Sequence, residues 1–472
     1  MNQYIKIFLS VILAFCVSCE ELVDDINDNP NDLTTEDVDA AFFLTGAMLA
    51  NTVSQAGHLN RISGLYSGQL VGYTSLYSNI YGYSLSTAET VSSWNNIYIG
   101  IIPNVRTIRE RAPGDLLLVG ISKVLEAHAI GSIASLCGDV PYSQVFQADV
   151  EDPQFDNQMD VFNALISLLD NGISDLDQAL SRGLSQDIYF EGDADKWKEA
   201  AYTLKARYHL QMKDYAAAYA AAQNGISGGE GSMKYFPRGD AALTEGDKNL
   251  FNEILAGSRT GDIGNNGSYL MQLVDPADAI YRGNAKTDET ARFGYYAIDE
   301  NGASNNLGII EQFEPHNLVT YRENLLILAE AAARTIDFNT ALGHLNECRQ
   351  YLNTGDFLND NFIGEPFLYA DYVAADFAAG GMENMDNIDD TRALLREIIE
   401  ERYISGFGMY IPFNDARRLR KSDGDIAVPI PFNTTSATQQ PERLPYSDEE
   451  LFANSNAPSA DPGLFVVTQV NQ

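Results

Sequence analysis

Tryptophan occurs only twice in the 472 residues, cysteine four times and histidine five times, and each scarcity closes off a class of chemistry. The histidines, His58, His128, His209, His316 and His344, are scattered, with no HExxH or other ligand spacing, so no metal centre is expected. His128 and His209 fall in helical stretches and read as packing residues. Four cysteines are too few for a disulfide scaffold. Cys137 and Cys348 could pair, but read better as two buried free thiols, because free cysteine behaves as a small hydrophobe. Basic residues are also few, 30 Lys and Arg against 66 Asp and Glu, for a net charge of −36. Such a surface repels phosphate backbones, so nucleic acid is not an expected partner, whereas neutral ligands need no electrostatic steering. Walker and dinucleotide loops are missing, and no cofactor is expected. Gly225-Ile226-Ser227-Gly228-Gly229 has nucleophile-elbow spacing but follows a helix where a strand is required, so it reads as a helix end. No local motif marks the carboxylate pair of a glycoside hydrolase. The expectation is a protein that is not an enzyme.

Long apolar runs are missing too, apart from the start. Lys6 and the run Ile7–Val17 have the form of a secretory signal peptide, too short to span a bilayer. Val17-Ser18-Cys19 resembles a bacterial lipobox, with Cys16 where the consensus has Leu. The reading is a signal peptide over 1–18, an acylated Cys19 and an acidic tether through residue 34; the alternative is an ordinary secreted chain. Two or more acyl chains hold a protein at a membrane where one does not. The stretch from Asp25 to Glu36 has superficial calcium-loop spacing, but Pro30 stands where the loop needs Gly. It reads as a turn leading into a helix capped at Thr34 or Thr35.

What the chain has in quantity is helical periodicity, with hydrophobic residues at 45 %. Helices are expected over 35–54, 91–111, 117–136, 158–180, 194–211, 214–227, 317–335, 338–353 and 390–405. Two helix pairs share a pattern: Ala206, Asp214-Tyr215, Ala218 and Ala329, Asp337-Phe338, Ala341. A long helix, a tight turn and a second helix with small residues describe a tetratricopeptide-like hairpin. The fold class expected is therefore all-α dominated, one domain over 35–472, with minor β. Irregular insertions are expected near 55–90, 228–316, 354–388 and 422–472, where binding residues concentrate.

Several segments together resemble the SusD/RagB family. They are Asn29-Pro30-Asn31; Trp94 with Tyr98 and Asn104; Leu136-Cys137-Gly138-Asp139-Val140-Pro141-Tyr142; and Lys196-Trp197 with Leu204 to Tyr208. Leu328-Ala329-Glu330-Ala331, Glu400 to Tyr403 with Asp415, Arg417 and Arg418, and Arg443 to Glu449 complete the set, in the family's order. The resemblance implies a helical lipoprotein at the outer membrane that captures glycan, or in some members peptide. It also implies a partner, a SusC-like TonB-dependent barrel over which the protein acts as a lid. A helical scaffold binding a peptide tail is a third possibility.

Sugar sites set aromatic rings against C–H faces and use amides, carboxylates and Arg for hydroxyls. The densest candidate is Tyr66, Tyr73, Tyr77, Tyr81 and Tyr83, although Tyr73, Tyr77 and Tyr81 at i, i+4, i+8 could equally be a helix face turned inward. A second is the polar loop with Arg259, Asp262, Asn265 and Asn266. Tyr295 and Tyr296 form a third.

Overall fold

The structure, a computed structural model, describes residues 39–243 and 246–472. The expected signal peptide, Cys19, the tether, the Asn29-Pro30-Asn31 turn and the cap at Thr34 or Thr35 lie outside the described residues.

In chain order the helices are α1 Phe42–Ala56, α2 His58–Tyr66, α3 Ser75–Tyr81, α4 Val91–Asn95, α5 Ile102–Arg111, α6 Leu116–Cys137 and α7 Gln158–Gln178. After them come α8 Ala194–Gln211, α9 Tyr215–Ala222, α10 Leu250–Ala256, α11 Tyr269–Val274, α12 Thr290–Tyr296 and α13 Tyr321–Thr335. The last are α14 Phe338–Leu352, α15 Ala374–Phe377, α16 Asp390–Ser405, α17 Ile411–Leu419 and α18 Asp448–Ala453. The strands β1 Val71–Gly72, β2 Val140–Pro141, β3 Phe155–Asp156, β4 Met233–Tyr235, β5 Ile263–Gly264, β6 Thr287–Asp288, β7 His316–Val319 and β8 Leu368–Tyr369 pair two by two: β1 with β5, β2 with β3, β4 with β7, β6 with β8. All four pairs are antiparallel. The protein is helical with little sheet.

Apart from α1, the long helices begin where the sequence offers a side-chain cap. Asp115, Asn157, Asp193, Asp214, Thr320, Asp337 and Asp389 each accept a backbone N–H from the first turn of the adjoining helix. The two expected hairpins are α8–α9 and α13–α14. Their four marker alanines, Ala206, Ala218, Ala329 and Ala341, are fully buried in one apolar cluster, and α9 packs on α13, joining one hairpin to the other. On the other side, α8 packs on α7 and α7 on α6. Along α6, Gly120 and Gly131 permit this closeness. A Cβ on Gly131 would lie 2.1 Å from the Tyr208 hydroxyl, and one on Gly120 would lie 2.6 Å from Leu176 Cγ. α6 is apolar enough to cross a bilayer, but it is sealed inside the fold.

Three expected elements differ. The 317–335 helix starts only at Tyr321, because His316–Val319 pairs with β4 and Thr320 caps the first turn of α13. The 214–227 helix ends at Ala222, where Asn324 Nδ2 donates to the carbonyls of Ala222 and Ile226. The 91–111 helix carries a π-helical turn over Asn96–Ile101. Within the 55–90 insertion, α2 and α3 supply regular structure where the sequence alone suggests loop. Cys137 and Cys348 are free and buried. Burial pushes both thiols up to about 12.

Several of the described segments behind the family resemblance pack against one another. Trp94 stacks on Tyr98 at 5.3 Å and meets Tyr446 edge-on at 6.0 Å. The Leu444 N–H donates to Leu136 at 2.8 Å, and the Tyr98 hydroxyl donates to the Pro141 carbonyl at 2.8 Å. A buried ion network joins α13, α16 and α17. Glu330 accepts both Arg418 Nη atoms, at 2.7 and 2.8 Å, and Arg334 Nε at 3.0 Å. Arg418 also meets Asp415, which meets Arg402.

A second network has more carboxylates than cations. Arg282 reaches Glu289, Glu397, Glu400 and Glu401, helped by Arg292 and Arg349. Burial raises the Glu397 carboxyl to about 8; Arg282 opposes this, while Glu383 and Glu400 reinforce it. Glu401 is held at about 2: burial alone would raise it, but Arg292 and Arg282 outweigh that. A raised acid stabilises the fold below its unfolded pKa and loses that contribution as pH climbs through its folded value. The Glu397 contribution should therefore fade between about pH 4.5 and pH 8. Glu401 behaves oppositely, losing its contribution as pH drops from about 4.5 toward 2. Melting curves across pH 5–8 should show Glu397→Gln gaining several degrees on the natural protein toward the alkaline end. A constant difference would refute this protonation.

Candidate functional site

The two segments favoured by the sequence, 73–83 and 259–268, are brought together by the β1–β5 pair, with Val71 opposite Gly264 and Gly72 opposite Ile263. The ladder continues one step further, where the Tyr73 N–H donates to the Asp262 carbonyl at 2.8 Å. The Tyr73 hydroxyl then donates to the Asn266 carbonyl at 3.0 Å. Thr74 Oγ1 donates to Asp262 Oδ1 at 2.7 Å, and Arg259 lies 3.3 Å from Asp262 Oδ2. Asp262 is thus a buried clamp between the two segments, with Arg259 holding it from outside.

Tyr73, Tyr77 and Tyr81 do not share a helix face, because Tyr73 is extended and α3 starts only at Ser75. Tyr73, Tyr81 and Tyr83 are half-buried and present part of each ring to solvent. Burial first, and Glu300 second, push the Tyr73 hydroxyl up to about 12, so it remains a proton donor. Tyr83 adopts a φ of 64°, a costly conformation for an aromatic residue. It is pinned there by neighbours. Its ring meets Tyr66 edge-on at 5.7 Å and Phe465 at 6.4 Å, and its hydroxyl accepts the Asn433 N–H at 3.0 Å. Asn433 Nδ2 donates to the carbonyls of Leu65 and Tyr81, strapping the segment before it onto the tyrosine turn.

Four of the candidate tyrosines are interior, because each sits on the inward side of its element. Tyr66 packs on Phe413, and the Tyr77 hydroxyl accepts Arg61 Nε at 2.7 Å. Tyr295 donates to Glu314 at 2.7 Å, and Tyr296 packs on Phe407 at 5.1 Å. As positioned, Tyr77 and Tyr296 cannot stack on a ligand. Asn265 is also internal: Oδ1 accepts the Ile298 N–H and Nδ2 donates to the Tyr296 carbonyl. Asn266 is exposed.

Two cavities flank the exposed tyrosines. Beside the Asn266 loop lies a space of about 520 Å³ bordered by Asn266, Gln272, Asp299, Glu300 and Asn301, with Met271 and Phe293 among its apolar walls. Beside Tyr83 lies a cleft of about 610 Å³ bordered by Arg420, Ile430, Phe432, Gln440 and Phe465. Phe432 is 48 % exposed and Phe465 42 % exposed. Sequence reasoning missed this cleft. It placed an insertion at 422–472 but singled out no binding residue in it, because the cleft arises from long-range pairing onto Tyr83. Amides, carboxylates and ring faces across both spaces suit a ligand with many hydroxyls. Among the described residues no cluster of His, Cys, Asp and Glu is arranged to hold a metal. Ser227, from the GxSxG match, donates to Glu199 at 2.8 Å just past the end of α9, as a helix end and not an elbow would place it.

The fold is thus a helical frame that carries half-exposed aromatic rings and amides on its connecting segments. The family is set by comparison of the sequence: the SusD-like description "Starch-binding associating with outer membrane" matches residues 30–408, and the chain belongs to that family. Solved structures share the fold. A SusD/RagB family protein from Bacteroides thetaiotaomicron is 20 % identical with a TM-score of 0.66, covering 92 % of this chain and 99 % of that one. A chitin-binding SusD homologue from Flavobacterium johnsoniae is 16 % identical with a TM-score of 0.65, covering 91 % and 98 %. A SusD homologue from Bacteroides fragilis is 18 % identical with a TM-score of 0.65, covering 92 % and 100 %. No curated protein sequence matches the chain.

Proposed function

We propose that this protein is a non-enzymatic glycan receptor at the outer face of the outer membrane, anchored by acyl chains on Cys19. In this reading it hands its ligand to a SusC-like TonB-dependent transporter. Family membership supports the compartment and the ligand class. The observation that carries the site is the meeting of the Tyr73–Tyr83 and Arg259–Asn266 segments across β1–β5, which sets half-buried rings beside an amide- and carboxylate-bordered cavity. Tyr73, Tyr81 and Tyr83 are the stacking surfaces, and Asn266 supplies hydrogen bonds. Phe432 and Phe465 extend the apolar surface past Tyr83. Asp262 and Arg259 hold the loop in shape.

Surface capture in the millimolar to micromolar range corresponds to about −4 to −8 kcal/mol, which two stacked rings and a few hydrogen bonds supply. The test is calorimetric titration with a panel of chito-, malto- and xylo-oligosaccharides. Tyr73→Ala with Tyr83→Ala should weaken binding of whichever sugar binds by at least about tenfold, roughly 1.4 kcal/mol, while the fold survives by circular dichroism. An isotherm unchanged by the paired substitution rejects this face. Release of reducing ends from any of these sugars rejects the non-enzymatic reading.

A further inference from the structure

Away from that face, a small cavity lies where the start of α13 meets β4 and the chain just beyond α14. Its volume is about 50 Å³, and its walls include Ser232, Lys234, Thr320, Arg322 and Tyr351. Two cations therefore border one enclosed space. Arg322 is 8 % exposed, and its Nη1 is buried without a partner. Among the described residues its guanidinium forms no ion pair, and lies only over the Phe357 ring at 5.6 Å. A guanidinium does not shed its proton to escape burial. Lys234 also lacks an ion pair among the described residues. Burial first, and repulsion from Arg322 second, lower its ammonium pKa.

Two carboxylates, Glu314 and Asp356, border the same space and attract Lys234 across it. Among the described residues neither comes within ion-pair distance of Lys234 or Arg322, and neither acts on the Arg322 guanidinium. Glu314 is engaged elsewhere, accepting the Tyr295 hydroxyl at 2.7 Å and Asn359 Nδ2 at 3.0 Å. Asp356 is exposed to solvent. Leaving a buried cation uncompensated is strongly unfavourable, and a counter-ion removes that penalty. The remaining wall favours an anion as well. α13 is a helix of 15 residues whose positive end opens here. Ser232 Oγ accepts the Tyr321 N–H at 3.0 Å, and Thr320 Oγ1 accepts the Glu323 N–H at 3.1 Å. Both hydroxyl protons are left to donate.

We propose that this cavity binds a compact monovalent anion, a halide or a single carboxylate group, between Arg322 and Lys234 at the N-terminus of α13. Size sets the class. A water needs roughly 10–15 Å³ of such space, so the cavity takes an ion with a few waters, or one carboxylate, and excludes a sugar ring. This inference does not rest on the glycan reading.

The test uses the purified protein, with bromide-soaked crystals and melting curves in chloride, formate or bulky gluconate at equal ionic strength. Anomalous density beside Arg322 Nη1 is expected, together with a saturable rise in Tm in chloride or formate that Lys234→Gln abolishes. A response to formate without bromide density assigns a carboxylate, and bromide density assigns a halide. Arg322→Gln should lose both signals; if it does not fold, Lys234→Gln alone decides. No bromide density, with identical anion responses in the natural protein and Lys234→Gln, overturns the proposal.

Discussion

Glu330→Ala is expected to destabilise the protein by roughly 3–5 kcal/mol, because it strands buried cations. Glu330 is fully buried and binds Arg418 with both oxygens while also accepting Arg334. Burial alone would raise its carboxyl, but Arg418 and Arg334 hold it at about 2. Removing it leaves Arg418 with Asp415 alone, and Asp415 is already shared with Arg402. The network joins α13, α16 and α17, so the damage should spread across three helices. The comparison that separates pairing from packing is the double variant Glu330→Met with Arg418→Met. Replacing a whole buried pair by apolar side chains is often neutral or better, so the double variant should recover most of the loss. Denaturant unfolding measures both. A Glu330→Ala loss under about 1 kcal/mol would show that the pair contributes no more than an exposed one.

Trp197→Ala should cost a similar amount, about 3–5 kcal/mol for truncating a buried Trp. The Trp197 side chain is fully buried, meets Phe190 edge-on at 5.3 Å and lies 6.1 Å from Tyr189. Its Nε1 donates to Asp187 Oδ2 at 2.7 Å. Asp187 also accepts backbone N–H groups from Tyr189, Phe190 and Gly192. Losing the indole therefore opens a cavity and removes one donor from a buried carboxylate. Trp197→Phe keeps much of the volume and forfeits the hydrogen bond, so it should cost about 1–3 kcal/mol. If both variants unfold at the same denaturant concentration, the cavity does not dominate, and the cost lies in the Asp187 contact.

The frame was legible because its signals are local. An apolar period, an Asp at the turn and a small residue facing its partner helix are visible within about twenty residues, and they placed both hairpins and most long helices. The departures came from partners distant in sequence. Asn317–Val319 reads as helix until β4 is there to pair with it, and the end of α9 depends on Asn324. Among the described residues, segments carrying the family resemblance are frame: Trp94, Tyr98 and Tyr446 form one aromatic knot tied to the Pro141 carbonyl, and Glu330, Arg402, Asp415 and Arg418 form one ion network.

The candidate site was legible by segment and not by residue. Composition marked 73–83 and 259–268, and the structure joins them. Within them it could not tell Tyr77, turned inward on α3, from Tyr81, because a seven-residue helix between loops is too short for its period to show. Asn265 and Asn266 are adjacent and chemically identical, yet one is consumed by backbone and the other is exposed. Phe432 and Phe465 stayed hidden because their neighbours come from the other end of the chain.

The Asn433 side chain holds the segment before it with two hydrogen bonds to carbonyls, so the attachment does not depend on which side chains that segment displays. A substitution at Phe432 therefore leaves both of these hydrogen bonds in place. The surface beside Tyr83 is thus separable from the attachment beneath it.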